Sequence, residues 1–194
     1  MISLLGCLLV FACGALTKAT DDIVDKKAWK SRRLLGLATG ASYGLVAGFL
    51  AASSAEFATL IIALTIGMLL AGKIDARPHQ VAIAALLATA IALGLPPINT
   101  GIVAFFIALG YIDEKLNDAV DRGKIRNRAA RWVAEKRPSL EIGAMAASVL
   151  AGNPAYFLAV FLFDLAYNIV DRANSLKGQK TEKRQACRHA WQAR

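Results

Sequence analysis

Carboxylates close three of the apolar stretches in this chain, and acids beside hydrocarbon are its first candidates for chemistry. Asp21, Asp22 and Asp25 end the first stretch, Asp75 the third, and Asp118 and Asp121 the fifth, with Asn168 and Asp171 in the matching place of the last. Gly14, Gly67 and Gly110 stand eight positions before Asp22, Asp75 and Asp118, and Val160 stands eight before Asn168. The pattern reads as a degenerate internal repeat. Carboxylates with an amide oxygen are ligands for a hard cation, Mg²⁺ or Ca²⁺, whereas His79 and His189 make no zinc set. Helix C-termini add negative partial charge that favours a cation further. Asp21, Asp22, Asp25, Asp75, Asp118, Asp121, Asn168 and Asp171 are therefore the expected metal ligands. Asp22, Asp118 and Asp164 are the expected catalytic acids, Asp164 being the carboxylate most deeply set in hydrocarbon. A carboxylate-bound Mg²⁺ commonly bridges to phosphate, and Lys26, Lys27, Arg33, Arg77, Arg122 and Lys124 would neutralise the remaining phosphate charge.

Composition says where such a site would lie. Of 194 residues 56% are hydrophobic and only 19% charged, yet the formal net charge is +9. Apolar spans joined by basic loops reconcile these figures. No charged residue occurs from Gln80 through Ile112. All 23 Lys and Arg fall within 18–33, 73–79, 113–137 and 171–194, and the connections near Ser53, Pro96 and Asn153 hold none. The excess of Lys and Arg on cytoplasmic loops then predicts an all-α, polytopic membrane bundle of about seven spans, with the N-terminus outside and the C-terminus cytosolic. The expected location is the cytoplasmic membrane of a prokaryote. Cys7, Cys13 and Cys187 make no disulfide framework.

The expected membrane domain covers 1–175 and the basic cytosolic tail 176–194. The first span runs from about Ile2 to Thr17, with Lys18 reaching for the interface, and the second from Leu34 to about Ser53. Gly36, Gly40, Gly44 and Gly48 form a strip on the second that permits close approach of another helix, from this chain or from a second copy. The third runs Phe57 to Gly72, and Pro78 marks a new helix start with His79 as an interfacial residue. The fourth runs Val81 to Gly94, the fifth Ile98 to about Leu116, and the last two divide at Gly152-Asn153-Pro154. Between 122 and 137, Ile125, Ala129, Trp132 and Val133 share one helical face, as in a helix lying among headgroups. The tail reads as basic and poorly patterned.

Asp21-Asp22-Ile23-Val24-Asp25 and Asn117-Asp118 with Asp121 locally resemble the aspartate-rich motifs of intramembrane prenyltransferases. That resemblance implies Mg²⁺-diphosphate binding at cytosolic helix ends. It is confined to those two motifs, and Trp29 and Ile125 stand where the family has a further aspartate. The leading expectation is thus a Mg²⁺-dependent membrane enzyme of lipid or isoprenoid phosphate metabolism, with membrane lipid and anionic headgroups as partners and no nucleic acid. The alternatives are a cation channel or transporter with an acidic vestibule, and a scaffold that oligomerises through the glycine strip. A rival account of the acids themselves is helix-surface pairing, since Lys26, His79, Arg122 and Arg172 follow Asp22, Asp75, Asp118 and Asn168 by four positions.

Overall fold

The computed structural model describes residues 3–25, 29–125, 127–129, 131 and 138–192, with side chains described except at 29–31, 121, 138 and 177–192. Among these residues the chain is all-helical. Its helices are α1 (Leu4–Asp25), α2 (Trp29–Ser53), α3 (Ala55–Ala71), α4 (Arg77–Leu93), α5 (Thr100–Asp121), α6 (Pro138–Ala151) and α7 (Ala155–Gln192). Local chemistry sets most of the boundaries. Ser54 caps α3 by accepting a hydrogen bond from the Phe57 amide at 3.2 Å, which satisfies one of the donors exposed at a helix start. Asn99 caps α5 in the same way through Ile102. Gly72, at φ 76, ends α3 in the left-handed conformation that a glycine adopts without cost. Pro78 falls in the first turn of α4, where its missing N–H is not needed. Arg32, at φ −122 and ψ 25, breaks α2 between its basic start and its apolar body.

Neighbouring helices reveal the architecture. The carbonyl ends of Pro78, Ala82 and Leu86 face Gly40, Gly44 and Gly48, so α4 runs parallel to α2 with a constant register. Gly14 lies against Phe163, and Asp22 against Asn174, so α1 is parallel to α7. Thr59 meets Asn99 and Gly67 meets Ile107, so α3 is parallel to α5. Helix α6 runs against α5, with Gly143 beside Leu109 and Ser139 beside Asp113. Further contacts of α1 with α2, α2 with α3, α3 with α7 and α6 with α7 close two rings that share the α3–α7 edge. Phe57, Leu60, Phe106 and Tyr156 fill the core, with Phe106 stacked on Tyr156 at 6.2 Å between ring centroids. Alanines 51, 58, 63, 144 and 166 are fully buried where helices touch, as close packing of helices requires.

Several expectations change here. Among the described residues, only α1 and the Arg32–Ser53 part of α2 are long and apolar enough to cross a membrane, at mean hydropathies of 1.5 and 1.6. Helices α3 and α4 have 17 residues each and α6 has 14, so at 1.5 Å per residue they fall short of a hydrocarbon core of about 30 Å. The seven-span count rested on apolar runs, whose ends the structure assigns to turns such as 94–99. The glycine strip is occupied within the chain: α4 covers Gly40, Gly44 and Gly48. The tail is not irregular, because α7 continues without a break through Gln192, and its Lys, Arg, Gln, Glu and Ala are good helix formers. Trp132 and Val133 of the expected headgroup helix lie outside the described residues.

Candidate functional site

The helix polarities bring the C-termini of α1, α3 and α5, the N-termini of α2, α4 and α6, and the middle of α7 to one end of the bundle. This is where the expected site residues gather, and they gather in two groups rather than one.

The first group joins α1, α2, α4 and α7. Lys18 reaches Asp171 on α7 at 2.8 Å and Asp22 on its own helix at 3.4 Å. Its ammonium also sits 5.0 Å from the ring centre of Tyr167, a cation–π arrangement. The Lys18 and Asp22 side chains are 13% and 12% exposed, so water screens this pair poorly, whereas Asp171 is 49% exposed. The Asn174 amide donates to the other Asp22 oxygen. On the preceding residue, Asp21, both carboxylate oxygens are held. The Tyr167 hydroxyl donates to Oδ2 at 2.7 Å, and His79 Nε2 lies 3.2 Å from Oδ1. The other nitrogen of that imidazole, Nδ1, is 2.8 Å from the Tyr43 hydroxyl. Four helices are thereby tied by one continuous polar network.

The second group joins α3, α5 and the turn after α3. Lys73 Nζ lies 2.6 Å from Asp118 and 3.5 Å from Glu114. Lys115 donates to the Ala71 carbonyl at 3.4 Å, placing a cation on the negative end of α3. Arg122 approaches Asp118 at 3.8 Å and is 67% exposed. One residue before Glu114, Asp113 is 2% exposed and accepts a hydrogen bond from Ser139 across the α5–α6 contact. The hydrogen bond from Lys73 holds the Asp118 carboxyl below its ordinary value. The same bond raises Lys73 above the usual lysine value, against an opposing effect of burial. The sign follows for each limb. Asp118 contributes stability that is present above the ordinary carboxylate value, about 3.9, and is lost as pH falls through its depressed one. Lys73 contributes stability present below the ordinary lysine value and lost as pH rises through its raised one. In a thermal-midpoint titration, Asp118→Asn is expected to remove the acid loss assigned to this pair and to lower the plateau between the limbs. A plateau equal to wild type across neutral pH would show that the bond contributes nothing.

The expected residues can now be placed one by one. Asp22 and Asp171 meet at Lys18, and Asp118 meets Lys73. Asp25 and Asp75 are exposed, as are Arg33, Arg77 and Lys124. Asn168 is exposed and its amide nitrogen donates to the Asp164 carbonyl of its own helix. Asp164 is half-buried on α7. Lys26 and Lys27 lie outside the described residues, and nothing is described of the Asp121 side chain. Among the described residues, no group of three or more His, Cys, Asp or Glu side chains is arranged to hold a metal ion. The physical reason is visible in both groups: the carboxylates already surround a lysine. Of the expected helix-surface pairs only Asp118 with Arg122 forms among the described residues, and His79 turns to Asp21 rather than to Asp75.

Lys18, Lys73, Tyr43 and Asp113 were absent from the expected site. A lysine inside the first apolar stretch was the available signal for Lys18, and the Ile112-Asp113-Glu114 pair was the signal for Asp113. Nothing in the sequence pairs Tyr43 with His79. Comparison with protein-family models, with curated proteins and with solved structures gives no match, so the site is read from this chain's own residues.

Proposed function

We propose that the chain is a polytopic membrane protein whose basic end faces the cytosol and acts on a lipid or isoprenoid phosphate. The membrane part is supported by the apolar exterior. Leu34, Ile91, Val149 and Leu150 are 83%, 82%, 76% and 89% exposed, on α2, α4 and α6, and Leu70, Phe105 and Phe161 extend the same character to α3, α5 and α7. A surface this apolar is a liability in water and ordinary in a bilayer. Local thinning of the bilayer accommodates the shorter helices at modest cost.

The observation that carries the phosphate part is the coincidence, at one end, of exposed Arg33, Arg77, Arg122 and Lys124 with the Asp21–His79 network. Cations at the rim attract an anionic head, and groups able to exchange protons lie beside it. Mg²⁺ belongs to this proposal as a companion of the substrate phosphate. A resident ion would have to displace Lys18 or Lys73 from the carboxylates that hold them. The test is lipid retention by the full chain in phosphatidylcholine nanodiscs doped with an isoprenyl phosphate, with and without Mg²⁺. Preferential retention of the phosphate lipid is expected, weakened several-fold when Arg33 and Arg77 are both changed to Gln. Retention no better than for phosphatidylcholine would refute the proposal, and ion flux through the same protein in liposomes would favour the transporter alternative instead.

A further inference from the structure

Tyr43, His79 and Asp21 come from three helices and meet in an order that has chemical meaning. Asp21 is an acceptor, so the imidazole nitrogen facing it, Nε2, carries a hydrogen. In the neutral ring Nδ1 is then an acceptor, and the Tyr43 hydroxyl donates to it at 2.8 Å. The donors run in series from Tyr43 to His79 to Asp21. Tyr167 fixes the second Asp21 oxygen from α7, which fixes the plane of the carboxylate as well as its position. A hydroxyl bonded to a base that is oriented by a third group is the general arrangement for activating a hydroxyl.

The backbone around this trio is built for precision. Gly40 and Gly44 flank Tyr43 on α2, and they bring the backbone of α2 against Pro78 and Ala82, the residues flanking His79 on α4. A methyl group at either glycine would lie within about 3 Å of α4 main-chain atoms, so the two helices are as near as main chains allow. Tyr43, His79 and Asp21 are each half-buried, so the trio is neither sealed in the core nor fully open to water.

Building on the lipid-phosphate reading, we infer that Tyr43, His79 and Asp21 form a proton-relay site that activates a hydroxyl, of water or of an alcohol, for attack on a lipid-linked diphosphate. The acceptor hydroxyl gives its proton to Tyr43 Oη as the Tyr43 proton passes to His79 Nδ1. The acceptor oxygen bonds to phosphorus, and the bond from phosphorus to the leaving oxygen breaks with its electron pair on that oxygen. The proton on the imidazolium returns through Tyr43 to the leaving oxygen. Asp21 stays ionised throughout and acts as a positioning residue, holding the ring and balancing the imidazolium charge.

The experiment uses the full chain in phosphatidylcholine vesicles with farnesyl diphosphate, Mg²⁺ and glycerol, followed by ³¹P NMR. Wild type is expected to bind the diphosphate and to form a new phosphate ester or inorganic phosphate. His79→Gln and Tyr43→Phe are expected to lower turnover at least about 100-fold while retaining binding, the usual scale for loss of a positioned acid–base group. Tyr43→Phe keeps the packing of the ring, so it remains informative where His79→Gln disturbs folding. Asp21→Asn is expected to lower kcat while diphosphate binding and the thermal midpoint are retained, whereas a merely structural role would lower all three together. Equal turnover by wild type and Tyr43→Phe, or binding without turnover by wild type, overturns the relay and leaves the lipid-phosphate reading standing. Failure of wild type to bind the diphosphate overturns both.

Discussion

Gly44→Val is expected to lower the thermal midpoint of the reconstituted protein by roughly 6–12 °C. The argument is steric. A Cβ at Gly44 would lie 2.7 Å from Ala82 Cα and 2.8 Å from its carbonyl carbon, distances that real Cβ atoms do not adopt. The obstructing atoms are main chain, so no rotamer change relieves the clash and α4 must move away from α2. Overpacking of a tight contact costs about 1–3 kcal/mol even where side chains can adjust, and this site belongs at the upper end. For a chain of this size about 3 kcal/mol corresponds to the stated shift. Gly110→Ala is the matched comparison. Its nearest neighbour would be Leu64 Cδ2 at 3.7 Å, an ordinary contact, and alanine in a helix interior is favoured over glycine by up to about 1 kcal/mol. A midpoint unchanged or slightly raised is expected there. If Gly44→Val melts with wild type, the helices are not as close as described. Displacement of α4 would also carry His79 away from Tyr43, so the same variant connects packing to the relay.

That comparison also explains what the repeat of glycine and acid records. Gly14 lies hard against the Phe163 main chain, Gly67 stands 3.3 Å from the Ile107 carbonyl by its would-be Cβ, and Gly110 has room. Two of the three repeat glycines are therefore points where parallel helices approach, α1 to α7 and α3 to α5. Acids of the same two helix pairs each hold a lysine between carboxylates, Lys18 with Asp22 and Asp171 and Lys73 with Glu114 and Asp118, while Asp75, the acid after Gly67, stays exposed. The periodicity was legible because it reflects helix geometry, and helix ends were legible where Pro78 and Gly152-Asn153-Pro154 carry local signals, whereas the Asn99 cap was not singled out. Partner choice was not legible. The four-residue spacing of Asp75 and His79 suggested one pair, yet the imidazole takes Asp21, because α4 is pressed onto α2 beside α1. Sequence spacing tells which face a side chain occupies on its own helix and says nothing of which helix lies opposite. The same limit made the acids read as one ring, when the parallel pairs divide them in two.

Lys18→Met is expected to cost about 2–4 kcal/mol, more than an exposed ion pair contributes. Exposed pairs are worth about 1 kcal/mol or less, because water and salt already screen them. Lys18 and Asp22 are instead 13% and 12% exposed, and methionine keeps the length and bulk of the stem while deleting the charge. What remains is a poorly hydrated Asp22 with its cation removed and with Asp21 one residue away. Breaking a buried pair by removing one partner costs about 3–5 kcal/mol for that reason, and the half-exposed Asp171 brings the expectation below the top of that range. The decisive measurement is the double variant. Lys18→Met with Asp22→Asn removes the stranded charge and keeps an amide that can still meet Asn174, so it is expected to be more stable than Lys18→Met alone by about 1–2 kcal/mol, the scale on which contacting residues couple. If the double variant is no better than the sum of the single ones, Lys18 acts through packing on Tyr167 rather than as a counter-ion.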